Sequence, residues 1–472
     1  MTADPGTTEE PSLLAPFRQF FALKRDVLVL SVAMLAFSLA FQMTSRYVPR
    51  YLQMLGAGGG IIGLYGSVGN LIGALYPYPG GALSDRIGSR LALTLFGTVS
   101  TVGFLLWAVA PSLPGLSLPA VTVGVPLAGD VTIGGSIGPW VWLFLGLFLT
   151  QAWKSLGLGA TFAVVKQAVP PERLAMGFAS TEVFRRIGFL LGPLIAAVLL
   201  ALTATFVAGF RYVLLVAVAF GAVATVLQHV LYDASEDTVG ASFEGVGQVL
   251  ADLRDLPATL RPLLLADTLV RFANGMVYVF FVIVVTDYLA VGFSGFGLSL
   301  APDAYFGVLL VVEMVVALVS MPPVARLAER VGLKPVVGFG FLVYAAFPVL
   351  LIWAPADQWV LAGLFAFSGL RFAGLPAHKA LIVGPAERDA GGQVTGAYYL
   401  VRNVVVIPSA ALGGLLYRGA WSVAVPQVTL GPLTTPATVT AGPELSFTLA
   451  SLIGLAGVAL FAVYGREFEP YR

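Results

Sequence analysis

Charged side chains inside long apolar stretches are the residues of this sequence best suited to chemistry. At about 1.5 Å per helical residue, six of them lie roughly 12 to 20 Å into their stretches. An ionised group that deep in a lipid bilayer costs at least about 2.5 kcal/mol, so such residues should face one another or a watery cavity. The six are Lys154, Arg185, Arg186, Glu313, Arg371 and Arg402.

Three of the basic residues lack an acidic partner one turn away on their own helix. Lys154, Arg371 and Arg402 are therefore the candidate substrate-binding residues. Cationic side chains favour anionic ligands, and these six deep residues include more bases than acids. Neutralisation by backbone carbonyls or by another helix is the alternative for each of the three.

Two other groups of charges can be explained within a single helix. Glu182 precedes Arg185 and Arg186 by about one turn. Asp267 precedes Arg271 by four residues. Both spacings allow an ion pair on one helix face, and such a pair needs no ligand.

Glu313 differs because no basic residue lies within one turn of it. Desolvation then favours the neutral, protonated carboxyl group. A carboxyl group that gains and loses a proton inside a membrane is a candidate for proton coupling. The alternative is a glutamate that a nearby polar group or water satisfies.

The composition requires these residues to belong to a membrane protein. Of 472 residues, 58% are hydrophobic and 11% are charged, against roughly 25% charged in soluble domains. The net charge of +1 argues against nucleic-acid binding. The absence of cysteine excludes thiolate chemistry, and no G-x-x-x-x-G-K-S/T pattern for ATP occurs. We expect no metal, no cofactor and no enzymatic activity.

About twelve apolar segments are long enough to cross a membrane as helices. Lys and Arg are concentrated in the connections on one side, which predicts that both termini are cytoplasmic and that the chain lies in the cell membrane. The predicted spans are 27–49, 60–79, 90–110, 139–167, 177–201, 207–231, 263–289, 303–323, 335–354, 359–383, 391–417 and 445–464.

The connections predict how the chain is divided. The expected parts are a cytoplasmic segment 1–26, a six-helix bundle 27–231, a cytoplasmic linker 232–262 with an amphipathic helix, a second six-helix bundle 263–464 and a tail 465–472. Two outer loops, 111–138 and 419–443, alternate Val or Thr with small residues and predict short β-hairpins. A flexible Pro/Gly loop is the alternative for each.

A ten-residue segment occurs once in each half. The first copy, Gly81-Ala-Leu-Ser-Asp85-Arg86-Ile-Gly88-Ser-Arg90, follows the second span. The second copy, Ala325-Arg-Leu-Ala-Glu329-Arg330-Val-Gly332-Leu-Lys334, follows the eighth, and matching positions are 244 residues apart. Two six-helix halves in the same orientation are the layout of parallel-repeat secondary transporters.

With this repeated segment, the chain resembles the major facilitator superfamily, and the resemblance covers essentially its whole length. Positions 81–90 match the family's motif A, with Ser89 as the one departure. The resemblance implies alternating access, in which the motif and its second copy control the change of conformation. The residues assigned to this gating are Gly81, Asp85, Arg86, Gly88, Arg90, Glu329 and Arg330.

A second stretch, Gly188-Phe-Leu-Leu-Gly192-Pro193, resembles the family's motif C. That motif is found mainly in exporters that exchange their substrate for protons. Close helix packing through small residues four positions apart is the alternative.

The resemblance also implies that the eighth span faces the fifth across the interface between the halves. Glu313 lies roughly 15 Å, and Arg185 and Arg186 roughly 12 to 14 Å, from the inner boundary. We therefore hypothesise that Glu313 alternates between a neutral acid and an ion pair with Arg185 or Arg186, so that a proton releases a bridge between the halves.

These observations predict an all-α polytopic membrane protein of twelve helices in two bundles related by pseudo-two-fold symmetry. Its predicted function is proton-coupled secondary transport of a small molecule, with a preference for organic anions. The alternatives are a proton-coupled multidrug exporter and, from another class, a non-transporting sensor or membrane-embedded enzyme. The expected partners are a small-molecule substrate and the lipid bilayer, without nucleic acid or ATP, and the chain is expected to act as a monomer.

Overall fold

The computed structural model describes residues 25–125, 129–157, 161, 174–233, 258–383, 391–419, 422–424, 429–430, 433–434 and 438–467. The predicted N-terminal segment up to residue 24, the amphipathic part of the linker 232–262 and the end of the tail lie outside the described residues.

The longer helices of the first half lie in the predicted apolar runs. Inside a bilayer every backbone N–H and C=O must be hydrogen-bonded within the protein, which an apolar run achieves by forming a helix. These helices are α1 (Arg25–Thr44), α2 (Val48–Met54), α3 (Gly59–Leu75), α4 (Pro77–Ile87), α5 (Ser89–Val109), α6 (Val141–Gln151), which continues as a π-helical turn Ala152–Leu156, α7 (Leu174–Ala201) and α8 (Phe206–Leu231).

The second half repeats this helical layout. Its helices are α9 (Arg261–Val277), α10 (Phe281–Ile283), α11 (Pro302–Val331), α12 (Leu333–Ile352), α13 (Gln358–Gly369), α14 (Leu375–Val383), α15 (Gly391–Val406), α16 (Ser409–Tyr417) and α17 (Pro443–Tyr464). A 3-10 turn Tyr278–Phe280 and a π-helical turn Val284–Tyr288 extend the α9–α10 span, and a 3-10 turn Leu370–Phe372 joins α13 to α14.

The number of membrane crossings agrees with the prediction only in part. Among the described residues, nine helical segments are long and apolar enough to cross a membrane, or ten if α1 and α2, bent by 41°, form one span. Two shorter apolar helices, Gly59–Leu75 and Val141–Leu156, occupy the places of the predicted second and fourth spans. The helical fold is as predicted, and the count of twelve stays a prediction.

Successive spans run in opposite directions, so the motif A segment and the loop 111–138 lie at opposite ends of the helices. We call these ends the motif side and the hairpin side. The predicted hairpin in 111–138 is confirmed: β1 (Leu116–Val125) pairs antiparallel with β2 (Gly129–Ile137), with an irregularity between Leu118 and Val121.

Further strands occur at the hairpin side. In 419–443 the described strands are β5 (Ser422–Ala424), β6 (Thr429–Leu430), β7 (Leu433–Thr434) and β8 (Thr438–Thr440), and they pair as β5–β8 and β6–β7. A small hairpin of β3 (Phe293–Gly295) and β4 (Leu298–Leu300) was not predicted. Its three-residue strands are too short to show alternation in the sequence.

The repeated motif has a structural basis in its second glycine. Gly88 ends α4 at φ +83°, and its counterpart Gly332 ends α11 at φ +92°. This left-handed backbone is costly for residues with a Cβ atom. Glycine is therefore needed at both positions to join one span to the next by a single-residue turn.

The motif C-like stretch lies at a close contact between α7 and α1. A Cβ atom at Gly188 would lie 2.5 Å from the Cβ atom of Ser38, and one at Gly192 would lie 2.8 Å from that of Gln42. Such separations require glycine, which supports the packing interpretation of this stretch.

Candidate functional site

A cavity of about 490 Å³ lies between the two halves of the chain. The first half contributes residues of α1, α3, α6 and α7 and the connections at their ends, and the second half contributes residues of α9, α11, α12, α13 to α14 and α15. We call this space the central cavity. Its charged lining residues in the described part of the chain are Arg46, Lys154, Arg271, Glu313, Arg371 and Arg402.

Glu313 is held by three polar side chains. Its Oε1 atom lies 2.5 Å from Nη2 of Arg371 and accepts a 2.7 Å hydrogen bond from Ser368. Its Oε2 atom lies 3.6 Å from Nη2 of Arg46. The side chains of Glu313 and Arg371 are 3% and 2% exposed, so this is a buried, charge-assisted pair.

The expectation that Glu313 lacks a basic partner is wrong in this conformation. Arg371 lies 58 positions along the chain, and neighbours on one helix cannot reveal such a partner. Arg185 and Arg186, the partners hypothesised for Glu313, make other contacts in this conformation. Arg185 lies 5.6 Å from the ring of Phe189, and Arg186 contacts the sulfur of Met321 at 3.8 Å. An ion pair of Glu313 with either arginine belongs to a second conformation and stays a prediction.

Arg46 is a cavity residue that the sequence analysis missed. It lies near the outer end of the predicted first span, 27–49, and was not counted among the deep charged residues. The chain bends by 41° between α1 and α2, and Arg46 lies at this bend. Its guanidinium stacks 4.2 Å from the ring centroid of Tyr278 and reaches Glu313 in the other half.

Asp267 is the second buried acid, and several donors converge on it. Its Oδ1 atom accepts from Nε of Arg271 at 3.3 Å, which confirms the predicted pair on one helix. Its Oδ2 atom accepts from Nη1 of Arg402 at 3.1 Å and from the hydroxyl of Tyr398 at 3.2 Å. Nε2 of His378 lies 3.4 Å from the same Oδ2. Arg402 is therefore neutralised from another helix, the alternative that the sequence left open.

Lys154 lies on the π-helical turn at the end of α6 and faces the central cavity. Its ammonium lies 5.9 Å from the ring centroid of Phe41. It also lines a second cavity of about 450 Å³ together with Arg185. The side chain of Glu182, the predicted partner of Arg185, lies outside the described part.

The central cavity is strongly cationic. Five basic side chains line it, while the described acids are Glu313 in the wall and Asp267 directly behind it. Nε and Nη1 of Arg371 are buried without a hydrogen-bond partner in the described structure. A guanidinium that keeps unpaired donors beside a cavity is suited to bind a carboxylate or phosphate.

A separate ionic cluster ties the halves together at the hairpin side. Arg50 on α2 contacts the carboxylates of Asp287 and Asp303 at 3.4 Å each. Gln53 donates a 2.9 Å hydrogen bond to Asp287, and the hydroxyl of Tyr47 donates to the carbonyl of Asp303 at 3.1 Å. We call this group the hairpin-side latch. It joins α1–α2 to the ends of the seventh and eighth predicted spans.

None of the gating residues whose side chains the structure describes lines the central cavity. Gly81 and Arg86 lie on α4, and Arg86 is exposed. Arg90 at the start of α5 donates from Nε to the carbonyl of His229 at 2.7 Å, which holds α5 against α8. In the second copy Glu329 and Arg330 are exposed. The side chain of Asp85 lies outside the described part, so its gating role stays a prediction.

Three comparisons place this geometry among known proteins. No family model matches the chain. An uncharacterized MFS-type transporter of Mycobacterium tuberculosis is 29% identical over 184 residues, which cover 39% of this chain and 37% of that protein, so little more than a third of that relative is matched. An uncharacterized MFS-type transporter of Methanocaldococcus jannaschii is 19% identical over 84% of this chain and 89% of its own length.

Solved structures share the fold at low identity. The nucleoside transporter NupG has a TM-score of 0.65 at 11% identity, covering 93% of this chain and 99% of its own. A POT family transporter in complex with 5-aminolevulinic acid has a TM-score of 0.65 at 14% identity, covering 93% and 96%. The human organic anion transporter MFSD10 has a TM-score of 0.55 at 16% identity, covering 93% and 99%. These three transporters share the fold of this chain, and the two MFS-type relatives agree with the resemblance found in its sequence.

Proposed function

We propose that this chain, which has the major facilitator superfamily fold, is a secondary transporter that carries a small organic anion through the central cavity. The observation that carries the proposal is the excess of basic side chains in a cavity shared by both halves, together with the unpaired donors of Arg371. Desolvated cations are costly unless an anion accompanies them. A small carboxylate or phosphate ester supplies that charge.

The position of the ligand follows from the same side chains. Arg371 and Arg46 approach Glu313 from the two halves, so an anion near them contacts both halves at once. Lys154 and Arg402 complete the set of candidate substrate-binding residues. A ligand that touches both halves stabilises one relative arrangement of the bundles over another, as alternating access requires.

Proton coupling is assigned to Glu313, the acid in the described wall of the central cavity. Its protonation removes the charge that holds Arg46 and Arg371, and those guanidiniums then become available to the substrate or to other partners. Arg185 and Arg186 are the partners proposed for Glu313 in the alternative conformation. The latch at the hairpin side and the motif A segment are the proposed gates at the two ends.

The proposed topology has the bundles 27–231 and 263–464 joined by the linker 232–262, with the segments 1–26 and 465–472 on the cytoplasmic side of the cell membrane. Because the sequence contains no cysteine, single cysteines can be introduced without background labelling. A cysteine in 232–262 should react with a membrane-impermeant maleimide only in opened cells, and one in 111–138 should react in intact cells. The reverse pattern would overturn the orientation.

Purified protein in liposomes tests the substrate class. Uptake of radiolabelled succinate and benzoate should exceed that of tetraphenylphosphonium, and Arg371→Gln should reduce anion uptake at least tenfold. Arg211→Gln, which removes an exposed arginine of α8 away from the cavity, is the matched control and should be neutral. Transport of the cation without either anion would refute the assignment and favour a drug exporter.

A further inference from the structure

His378 is a buried titratable residue to which the proposed transport mechanism assigns no role. It lies on α14 and is 5% exposed. Nε2 of its ring has no hydrogen-bond partner in the described structure, although Oδ2 of Asp267 is 3.4 Å away. A bare nitrogen lone pair facing a carboxylate would be repelled, so the neutral ring carries its hydrogen on Nε2, and an added proton goes to Nδ1.

Three donors compete for one carboxylate oxygen at this site. Arg402, Tyr398 and His378 all approach Oδ2 of Asp267, while Arg271 occupies Oδ1. When the His378 ring is neutral, Arg402 has the shorter, charge-assisted contact with this oxygen and His378 has the longer one. A charged imidazolium makes a much stronger bond to the carboxylate than a neutral ring does, so protonation shifts the competition against Arg402.

Arg402 has an alternative position because it lines the central cavity, and its side chain is 16% exposed. We propose that His378 is a second proton-binding site of the transport cycle, at which a proton displaces Arg402 from Asp267 and makes that arginine available to the substrate anion. The proposal rests on the proposed anion transport and adds to it a positioning residue remote from the substrate.

A proton can reach the ring from the motif side. His378 lines a cavity of about 520 Å³ whose wall includes Pro77 at the start of α4 and the exposed Lys379. Arg271 and Arg402 line both this cavity and the central cavity, so they separate the two spaces. The proton enters from water, remains on the imidazole while the anion is bound and leaves to water, with no other bond made or broken.

The helices around His378 place further charged and titratable groups near its ring. Helix α11 supplies Glu313, which is bonded to Arg371 and Ser368. Helix α12 supplies Tyr344, which bonds Arg271 at 2.9 Å. When His378 is neutral, the described charges around Asp267 are its own carboxylate and the guanidiniums of Arg271 and Arg402. Protonation of His378 adds one positive charge to this group. Release of Arg402 and the added charge both favour an anion. The titratable and charged groups around His378 are Asp267, Arg271, Glu313, Tyr344, Arg371, Lys379, Tyr398, Tyr399 and Arg402.

The proposal predicts that the protein binds anions more tightly at lower pH. Lower pH favours the protonated form of the imidazole. Affinity for succinate or benzoate in liposomes should therefore be about tenfold higher at pH 5.5 than at pH 7.5, within the usual range of coupling between two sites. His378→Gln should reduce that difference, and the part that remains belongs to Glu313, whose protonation also frees Arg371 and Arg46 for the anion.

The chain provides a matched control, since His229 is its other histidine. Nδ1 of His229 lies 3.0 Å from the hydroxyl of Thr94, and this histidine lines neither cavity that Arg402 lines. His229→Gln should keep the full pH dependence. Equal pH dependence in wild type and His378→Gln, or its loss in His229→Gln alone, would overturn the proposal.

A second measurement tests the competition without any substrate. The titration of His378 can be followed by histidine-labelled NMR of the folded protein, with His229→Gln used to assign the two signals. If Arg402 competes for Oδ2, Arg402→Gln should move the midpoint of the His378 titration to higher pH by more than Arg271→Gln does, because Arg271 occupies the other oxygen. Equal shifts would show a general charge effect and overturn the competition.

The two experiments separate failure of this proposal from failure of the proposed function. If neither anion binds at any pH, the anion transport assignment fails, and the NMR measurement still decides the competition. If an anion binds but its affinity is the same in wild type at pH 5.5 and 7.5, anion transport stands and the role of His378 fails.

Discussion

Removal of the charge of Asp267 should destabilise the second half of the chain strongly. Asp267 is fully buried and accepts from two arginines and a tyrosine at 3.1 to 3.3 Å. In Asp267→Asn the amide can accept at only one of its two terminal atoms, and Arg271 and Arg402 lose their shared counter-charge. Breaking a fully buried ion pair costs roughly 3 to 5 kcal/mol.

The side chains of Arg271 and Arg402 are 23% and 16% exposed to the cavity, so water compensates part of that loss. We therefore expect a loss of about 2 to 4 kcal/mol in the free energy of unfolding. Thermal unfolding in detergent, followed by tryptophan fluorescence without ligand, measures the change. Glu444→Gln is the matched control, because its bond to Tyr288 is exposed, and it should cost under about 1 kcal/mol.

A double variant makes this reasoning refutable. Arg402→Gln added to Asp267→Asn removes one of the arginines that the first change leaves without a counter-charge. The pair of substitutions should therefore cost less than the sum of the single ones, by about 1 to 3 kcal/mol. Strictly additive effects, or an Asp267→Asn protein as stable as Glu444→Gln, would show that Asp267 does not hold the cluster together.

Three further outcomes are expected. Gly88→Ala should lower the free energy of unfolding by about 1 to 2 kcal/mol because of its φ of +83°. Gly81→Ala, with nothing within 4 Å of the added Cβ, should be neutral in thermal unfolding, and equal melting temperatures of the two variants would contradict this. Asp85→Asn should slow transport in liposomes severely and leave equilibrium anion binding within a few-fold, and loss of binding with normal exchange rates would count against a gating role. Deletion of 114–135 with a short Gly/Ser link should preserve folding and uptake, because strands β1 and β2 pair with each other; an inactive, well-folded deletion would assign this hairpin to the substrate path.

The sequence alone determined the class of protein and the placement of its helices. Lipid leaves a long apolar run no stable alternative to a helix, so the spans could be located without knowledge of their neighbours. The repeat, with Gly88 in the first copy and Gly332 in the second, also followed from local pattern. So did the pair of Asp267 and Arg271, because residues four apart on a helix necessarily share a face.

The partners of the buried charges were decided only by the tertiary structure. Glu313 pairs with Arg371, and Asp267 with Arg402, across 58 and 135 positions of chain. The sequence indicates that each deep charge faces inward, but not which helices lie beside one another or at what depth their side chains meet. Arg46 lines the cavity from the bend between α1 and α2. Burial makes an unpaired charge costly and so requires a partner, but only the packing of the helices selects which one.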